Sequence, residues 1–209
     1  MTPEVYLASS SPRRRELLAQ LGVCFEVIHP NVDERSLAGE SAEQFVTRLA
    51  IEKARAGWGL VQQQSKPPRP VIGADTCIVL LDELIGKPND KPHYEQVMNK
   101  LSGATHQVYS AVAIAGSASL MSTVEEKYRL SRSSVEFRDI SEQEREIYWQ
   151  SGEPADKAGG YAIQGLAAAF VKNIHGSYSG IVGLPLYETA ELLLEFGVSV
   201  VRVAPQHDN

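Results

Sequence analysis

Cysteine is scarce in this chain. Cys24 and Cys77 are the only two, far apart and flanked by apolar residues. They make no disulfide framework and no Cys/His cluster for zinc, and fit reduced, buried thiols in a cytosolic protein. Positive charge is also short, with 20 Lys and Arg against 26 Asp and Glu and a formal net charge of −6. A protein that holds DNA or RNA by its phosphates shows a basic balance or a strong basic stripe, so no nucleic-acid partner is expected. No apolar run approaches the ~20 residues of a membrane span. The opening MTPEVYLASSSPRRR has no basic stretch followed by an apolar one, so a secretory leader is not expected either. The expectation is a cytoplasmic protein with no membrane partner.

Familiar phosphate and metal motifs are missing as well. IGKP, Ile85 to Pro88, is not a Walker A loop, because Pro88 follows the Gly-Lys pair and no glycine stands five residues before Gly86. GGYAIQG, Gly159 to Gly165, lacks the dinucleotide spacing of glycines. The five histidines show no paired ligand spacing. A metal here would be held by oxygen, which favours Mg²⁺ or Mn²⁺.

What is present is an alternation of strand and helix signals. Val5 to Ala8 and Phe25 to Ile28 read as strands around a first helix, with Ser11 at its N-cap and Pro12 at its first position. Ser41 to about Gln63 has helical periodicity, and Gln63 to Pro70 reads as a surface loop. Val71 to Leu81 is a near-continuous apolar run, as in a strand buried on both faces. Asp90 to Leu101 predicts a helix capped by Asp90 and ended at Gly103. Thr105 to Ala115 and Leu120 to Phe137 suggest a long hairpin turning at Gly116-Ser117. Ser141 to Gln150 opens with a capping box, Ser141 with Glu144. Ser151 to Gly165 is glycine-rich and polar, Ala168 to Ile174 reads as a strand, Pro185 to Phe196 as a helix and Ser199 to Val203 as a last strand. The expected fold is α/β with a mixed sheet.

At three places charges break the rule of their own element, and such violations tend to mark functional sites. Arg13, Arg14 and Arg15 crowd the N-terminal end of a helix, which the macrodipole already makes positive. Either an anion sits there against free N–H groups and the Ser9 to Ser11 hydroxyls, or the arginines splay into water or pair elsewhere. Asp75, in VIGADTCIVLL, puts a carboxylate in an apolar strand, which is costly unless it is paired, hydrogen-bonded or metal-bound. The alternative is a strand-end Asp bonded to a loop. Gly73 nearby would let another group approach the backbone. Lys53 projects near the middle of the apolar face set by Phe45, Val46, Leu49 and Ala50, and needs a carboxylate or phosphate there unless it snorkels at the core's edge. Lys87 and Glu34 lean the same way more weakly.

Together, LASSSPRRRELL, GADTCIVLLDELIGKP and EPADKAGGYAIQGLAAAFVKNIHGSYSGIVGLPLYET resemble the Maf family of nucleoside triphosphate pyrophosphatases. The match runs from Tyr6 to Leu192, nearly the whole chain. The resemblance implies a Maf/inosine-triphosphatase-like fold: one domain over residues 1–209, with an extended mixed sheet, flanking helices and a deep cleft between two lobes. It implies hydrolysis of a nucleoside triphosphate to the monophosphate and pyrophosphate, with a divalent cation (Mg, Mn or Co). By the same resemblance Asp75 is the proton acceptor, Glu34 and Asp75 hold the metal, and Ser9, Arg14, Lys53 and Lys87 contact the triphosphate. Arg13, Thr76 and Gln164 are similar to the specificity positions of the dTTP/UTP branch. An m7GTP-hydrolysing branch and an older description as a regulator of septum formation are the alternatives, and a homodimer is implied. Thr76 would point away from Asp75 in a regular strand, so a role for it in base selection predicts a twist or strand end there.

Overall fold

In the computed structural model residues 2–117, 124–155 and 157–200 are described. β1 (Val5–Ala8) leads through α1 (Pro12–Gln20) to β2 (Phe25–Ile28) and the long α2 (Ala42–Gln63). β3 (Val71–Leu80) and the short β4 (Glu83–Ile85) precede α3 (Lys91–Leu101). β5 (Thr105–Gly116), β6 (Glu125–Phe137) and α4 (Glu142–Gln150) follow, then β7 (Val171–His175), α5 (Tyr178–Val182) and α6 (Leu186–Glu195). Seven strands make one sheet in the order β2-β1-β3-β5-β6-β7, with β4 added beside β3. β1 runs parallel to β2 and β3, and the other pairings are antiparallel. The sheet is therefore mixed, as expected. No helix among the described residues is long and apolar enough to cross a membrane.

The helix signals act where the sequence places them. Ser41 Oγ accepts from Gln44 N at 3.2 Å and Gln44 Oε1 accepts from Ser41 N at 2.9 Å, closing a capping box on α2. Ser141 and Glu144 do the same for α4. Asp90 Oδ1 accepts from His93 N at 2.8 Å at the head of α3, and Gly103 follows that helix at φ +69°.

Two expectations are corrected. The strand expected from Ala168 begins only at Val171, because Leu166–Phe170 forms a 3₁₀ turn whose first N–H groups bond the Glu153 carboxylate. A side chain thirteen residues away, not local propensity, sets that turn. Ser199 and Val200 are in no strand, and residues 201–203 of that expectation lie outside the described residues, as do residues 120–123 of the hairpin. The short elements β4 and α5 carry too few residues to show a period in the sequence.

Strand alternation divides the core. Val5, Leu7, Ile72, Ala74, Val112 and Ile114 pack with Leu17 and Leu18 of α1 and Leu192 and Leu193 of α6. Tyr6, Ala8, Val71, Ala111 and Ala113 pack on the other face with Val46, Ala50, Ala54 and Trp58 of α2. Further along the same strands, Ile78 and Val108 join Tyr94, Met98, Phe137 and Tyr148 in a third cluster. β3 is thus buried on both faces along its length.

Gly73 fixes how closely α2 lies on β3. A Cβ there would stand 2.3 Å from Ala50 O and 2.4 Å from Ala54 N, both helix backbone. Gly73→Ala must push the helix away, and we expect it to lower stability by about 2–3 kcal/mol in urea unfolding. His106 carries a second consequence. Its ring is buried among Phe137 and Tyr161, with Nε2 2.8 Å from the Tyr161 hydroxyl and no partner at Nδ1 among the described residues. Burial pushes its pKa down to about 4. Below pH ~6.5 the unfolded chain binds a proton here that the folded protein refuses, so stability falls with falling pH toward the folded value. Between pH 7.5 and 4.5 this group should remove about 2–3 kcal/mol, and His106→Gln should lose that part of the pH dependence in denaturant titrations.

Candidate active site

The site lies where the sheet is incomplete. β1 pairs with β3 only at Val71 and Ile72, and β4 meets β3 only from Ile78 onward. Both lie on the side opposite β5, which pairs with β3 from Val71 to Val79. Gly73 to Cys77 therefore has no strand neighbour on that side, and a cleft of about 850 Å³ opens along it. The turn from β1 into α1 forms one end of this opening, so the arginine-bearing helix N-terminus looks onto it.

The three arginines separate. Arg14 folds inward: Nε donates to Gly183 O at 2.9 Å, Nη1 reaches Ser9 Oγ at 3.4 Å, and Nη2 stands 4.0 Å from Asp75 Oδ1. Arg13 is half-buried and lines the cleft, whereas Arg15 is exposed and does not. No side-chain oxygen caps α1; the buried Ser9 Oγ accepts from Ser11 N at 3.2 Å instead. Burial opposes the charge on Arg14, and the Asp75 carboxylate partly restores it. A guanidinium stays protonated throughout, so this is a fixed cation at a positive helix end.

Lys53 and Asp75 are the centre. Each is only 8% exposed, and Lys53 Nζ donates to Asp75 Oδ1 at 2.8 Å. The same ammonium stands 2.6 Å from Glu34 Oε1, so it links a strand carboxylate to a loop carboxylate. The inward reading of Lys53 and the paired reading of Asp75 both hold, and they explain each other. Burial opposes ionisation of Glu34, but the Lys53 hydrogen bond and the charges of Lys53, Lys87 and Arg14 together hold its carboxyl below the usual range. Arg13, Arg14, Lys53 and Lys87 thus face two carboxylates, and the cleft is net positive in a net acidic chain. Lys157 also lines it, with its ammonium donating to the Glu153 and Ala155 carbonyls.

Thr76 corrects the expected twist. β3 stays in register with β5 through this point, and Thr76 does face away from Asp75. Both still line the cleft, because the opening runs along the strand's free edge and is reached from either face. The Thr76 hydroxyl shares a hydrogen bond with Ser110 Oγ at 2.8 Å and reaches Gly183 O at 3.4 Å, the carbonyl that also holds Arg14. Gln164 is exposed and lines the cleft from the Tyr161 to Gly165 segment. The nine residues to which the family resemblance gives a role all line this one cleft, and Arg15 alone of the misplaced charges does not.

Two features were not legible. A backbone carbonyl, Gly183 O, anchors Arg14, and no residue type announces that. Ser110 supports Thr76 while donating to Gly180 O at 2.5 Å, and a lone serine in a strand gives no signal. Cys77 also lines the cleft, but burial, with the nearby Asp75 charge, pushes its thiol up to about 12. It is a packed, protonated side chain and not a nucleophile. Among the described residues no three of His, Cys, Asp and Glu gather as a metal cage. The donors at hand for a cation are Glu34 and Asp75, a hard oxygen pair of the kind that shares a cation with phosphate oxygens.

Comparison with known proteins gives the chain's family. A family model described as Maf-like protein matches residues 4–196. The chain is 50% identical to a dTTP/UTP pyrophosphatase of Alkalilimnicola ehrlichii, covering 96% of each chain. It is 51% identical to the dTTP/UTP pyrophosphatase of Escherichia coli O157:H7 over 92% of each. It is 47% identical to that of Nitrosomonas europaea over 94% of this chain and 96% of the relative. With the family model and its relatives spanning nearly its whole length, the chain belongs to the Maf family.

Proposed function

We propose that the chain is a nucleotide pyrophosphatase that hydrolyses dTTP and UTP to the nucleoside monophosphate and pyrophosphate. The observation that carries this is the buried Lys53–Asp75 pair at the free edge of β3, set among arginines and lysines. Relatives named for that activity, about half identical over nearly the whole chain, support the substrate class.

Asp75 is the base. Lys53 engages its Oδ1, and no donor among the described residues engages Oδ2, which leaves that oxygen to a water. The water oxygen bonds to the α-phosphorus, its proton passes to Asp75, and the bond from that phosphorus to the bridging oxygen breaks. Pyrophosphate leaves with the electron pair of that bond. Such a displacement needs positioning, charge neutralisation and a base more than covalent catalysis. Arg14, Lys53 and Lys87 hold the phosphate oxygens, with the Ser9 hydroxyl beside them. Glu34 and Asp75 would hold a divalent cation, which supplies Lewis acidity and further neutralisation when bound. Gln164 offers an amide donor and acceptor to a pyrimidine edge. Arg13 and Thr76 complete the specificity set, Thr76 through the Gly183 carbonyl it shares with Arg14.

The deciding experiment is pyrophosphate release from a nucleotide panel including m7GTP, with the product identified. dTTP and UTP should be the best substrates. Asp75→Asn should lower kcat with dTTP by a factor of order 10² or more while the protein stays folded by circular dichroism. Full turnover by that variant would remove Asp75 from the chemistry. Gln164→Glu should cut the preference for UTP by about tenfold, since it exchanges an amide donor for a charge.

A further inference from the structure

Gln164 has no hydrogen bond to any described residue, so its aim is set only by the backbone that carries it. That backbone is not part of a strand or an α-helix. Gly165 N bonds back to Ala162 O at 3.0 Å, making a tight turn with Gln164 near its tip. The turn is held from outside by one carboxylate. On the far side of Gln164, Glu153 Oε2 accepts from Leu166 N at 3.0 Å and Oε1 from Ala167 N at 3.4 Å. On the near side, Glu153 Oε1 accepts from the Tyr148 hydroxyl at 2.8 Å, and that hydroxyl accepts from Ala162 N at 3.1 Å. Gly165 lies directly on the carboxylate: an added Cβ would stand 2.2–2.5 Å from its three atoms. Glu153 therefore brackets the cleft-lining turn on both sides of Gln164, while touching none of the phosphate-binding side chains.

We propose that Glu153 is a positioning residue for base selection, acting through Tyr148 and Gly165 to aim Gln164 into the cleft. The inference rests on the assignment of pyrimidine recognition to Gln164 and adds the residue that makes it selective. A charged acceptor serving three donors is much stiffer than neutral hydrogen bonds would be. Loss of one such bond moves the turn without touching Arg14, Lys53 or Lys87. The signature is a base-dependent defect with an intact phosphate clamp.

Glu153→Gln keeps the side chain's size but turns one acceptor into a donor that cannot serve Leu166 N. It should raise KM for UTP about tenfold and lower the UTP-to-CTP ratio of kcat/KM by a similar factor, with kcat little changed. Inhibition by inorganic tripolyphosphate, which has no base, should be unaltered. Gly165→Ala keeps the charge but displaces the carboxylate, and should give the same pattern. Amide exchange at Ala162 and Leu166 should speed up in both variants. An unchanged UTP-to-CTP ratio, an equal loss across every nucleotide and tripolyphosphate, or failure of both variants to fold would each overturn the proposal. If the wild-type protein cleaves no nucleotide, the activity assignment fails by itself; unchanged amide exchange with normal turnover is the result that removes Glu153.

Discussion

The ion pair between Lys53 and Asp75 ties α2 to the middle strand at the one place where that strand lacks a neighbour. Two buried charges cost several kcal/mol in desolvation, and their attraction repays this only when the geometry is close and further partners are present. Here the geometry comes from Gly73, whose missing side chain lets the helix backbone sit against the strand two residues before Asp75. The further partners are Glu34 on one side and Arg14 on the other. A lone pair of this kind would be weak evidence for stability. Placed at an opening lined by Arg13, Arg14 and Lys87, it is a carboxylate held in one position by its partners.

The rest of the molecule follows from that constraint. α1 starts at the opening, so Arg13 and Arg14 arrive there, and the carbonyl of Gly183 turns Arg14 inward. That carbonyl is in turn fixed by α5, whose Gly180 carbonyl is pinned by Ser110 and whose first turn is capped by Ser177. The Arg14 and Asp75 side of the cleft is thereby built from one set of contacts across β3 and β5. The wall that carries Gln164 is supported separately, through Glu153 and Tyr148. The Arg14 side of the cleft and the Gln164 side thus rest on separate contacts.

Much of this was legible in the sequence for a physical reason: the informative residues contradict their surroundings. A lysine on an apolar helical face and an aspartate in an apolar strand each need a partner, and they proved to be each other's. Glycine beside that aspartate signalled the close approach that joins them. Strand and helix boundaries with capping residues or strong periodicity also came through, as in α2 and α4. What stayed hidden depends on long-range contacts. The 3₁₀ turn at Leu166 is made by Glu153, β4 and α5 are too short to show a period, and Thr76 reaches the cleft because a neighbouring strand stops, not because its own strand bends. The turn and the reach of Thr76 are properties of the assembled fold.

The two strands that border the site also run beyond it. β3 extends over ten residues and β5 over twelve, and they stay hydrogen-bonded from one apolar cluster into the next. Closing the cleft by rotating one half on the other would mean flexing this double beam and breaking its ladder. The protein is thus built as a mould with preset walls, not as a jaw. Such stiffness puts the burden of discrimination on the fit between nucleotide and cleft wall, to which α1, β3 and the Gln164 turn contribute Arg13, Thr76 and Gln164.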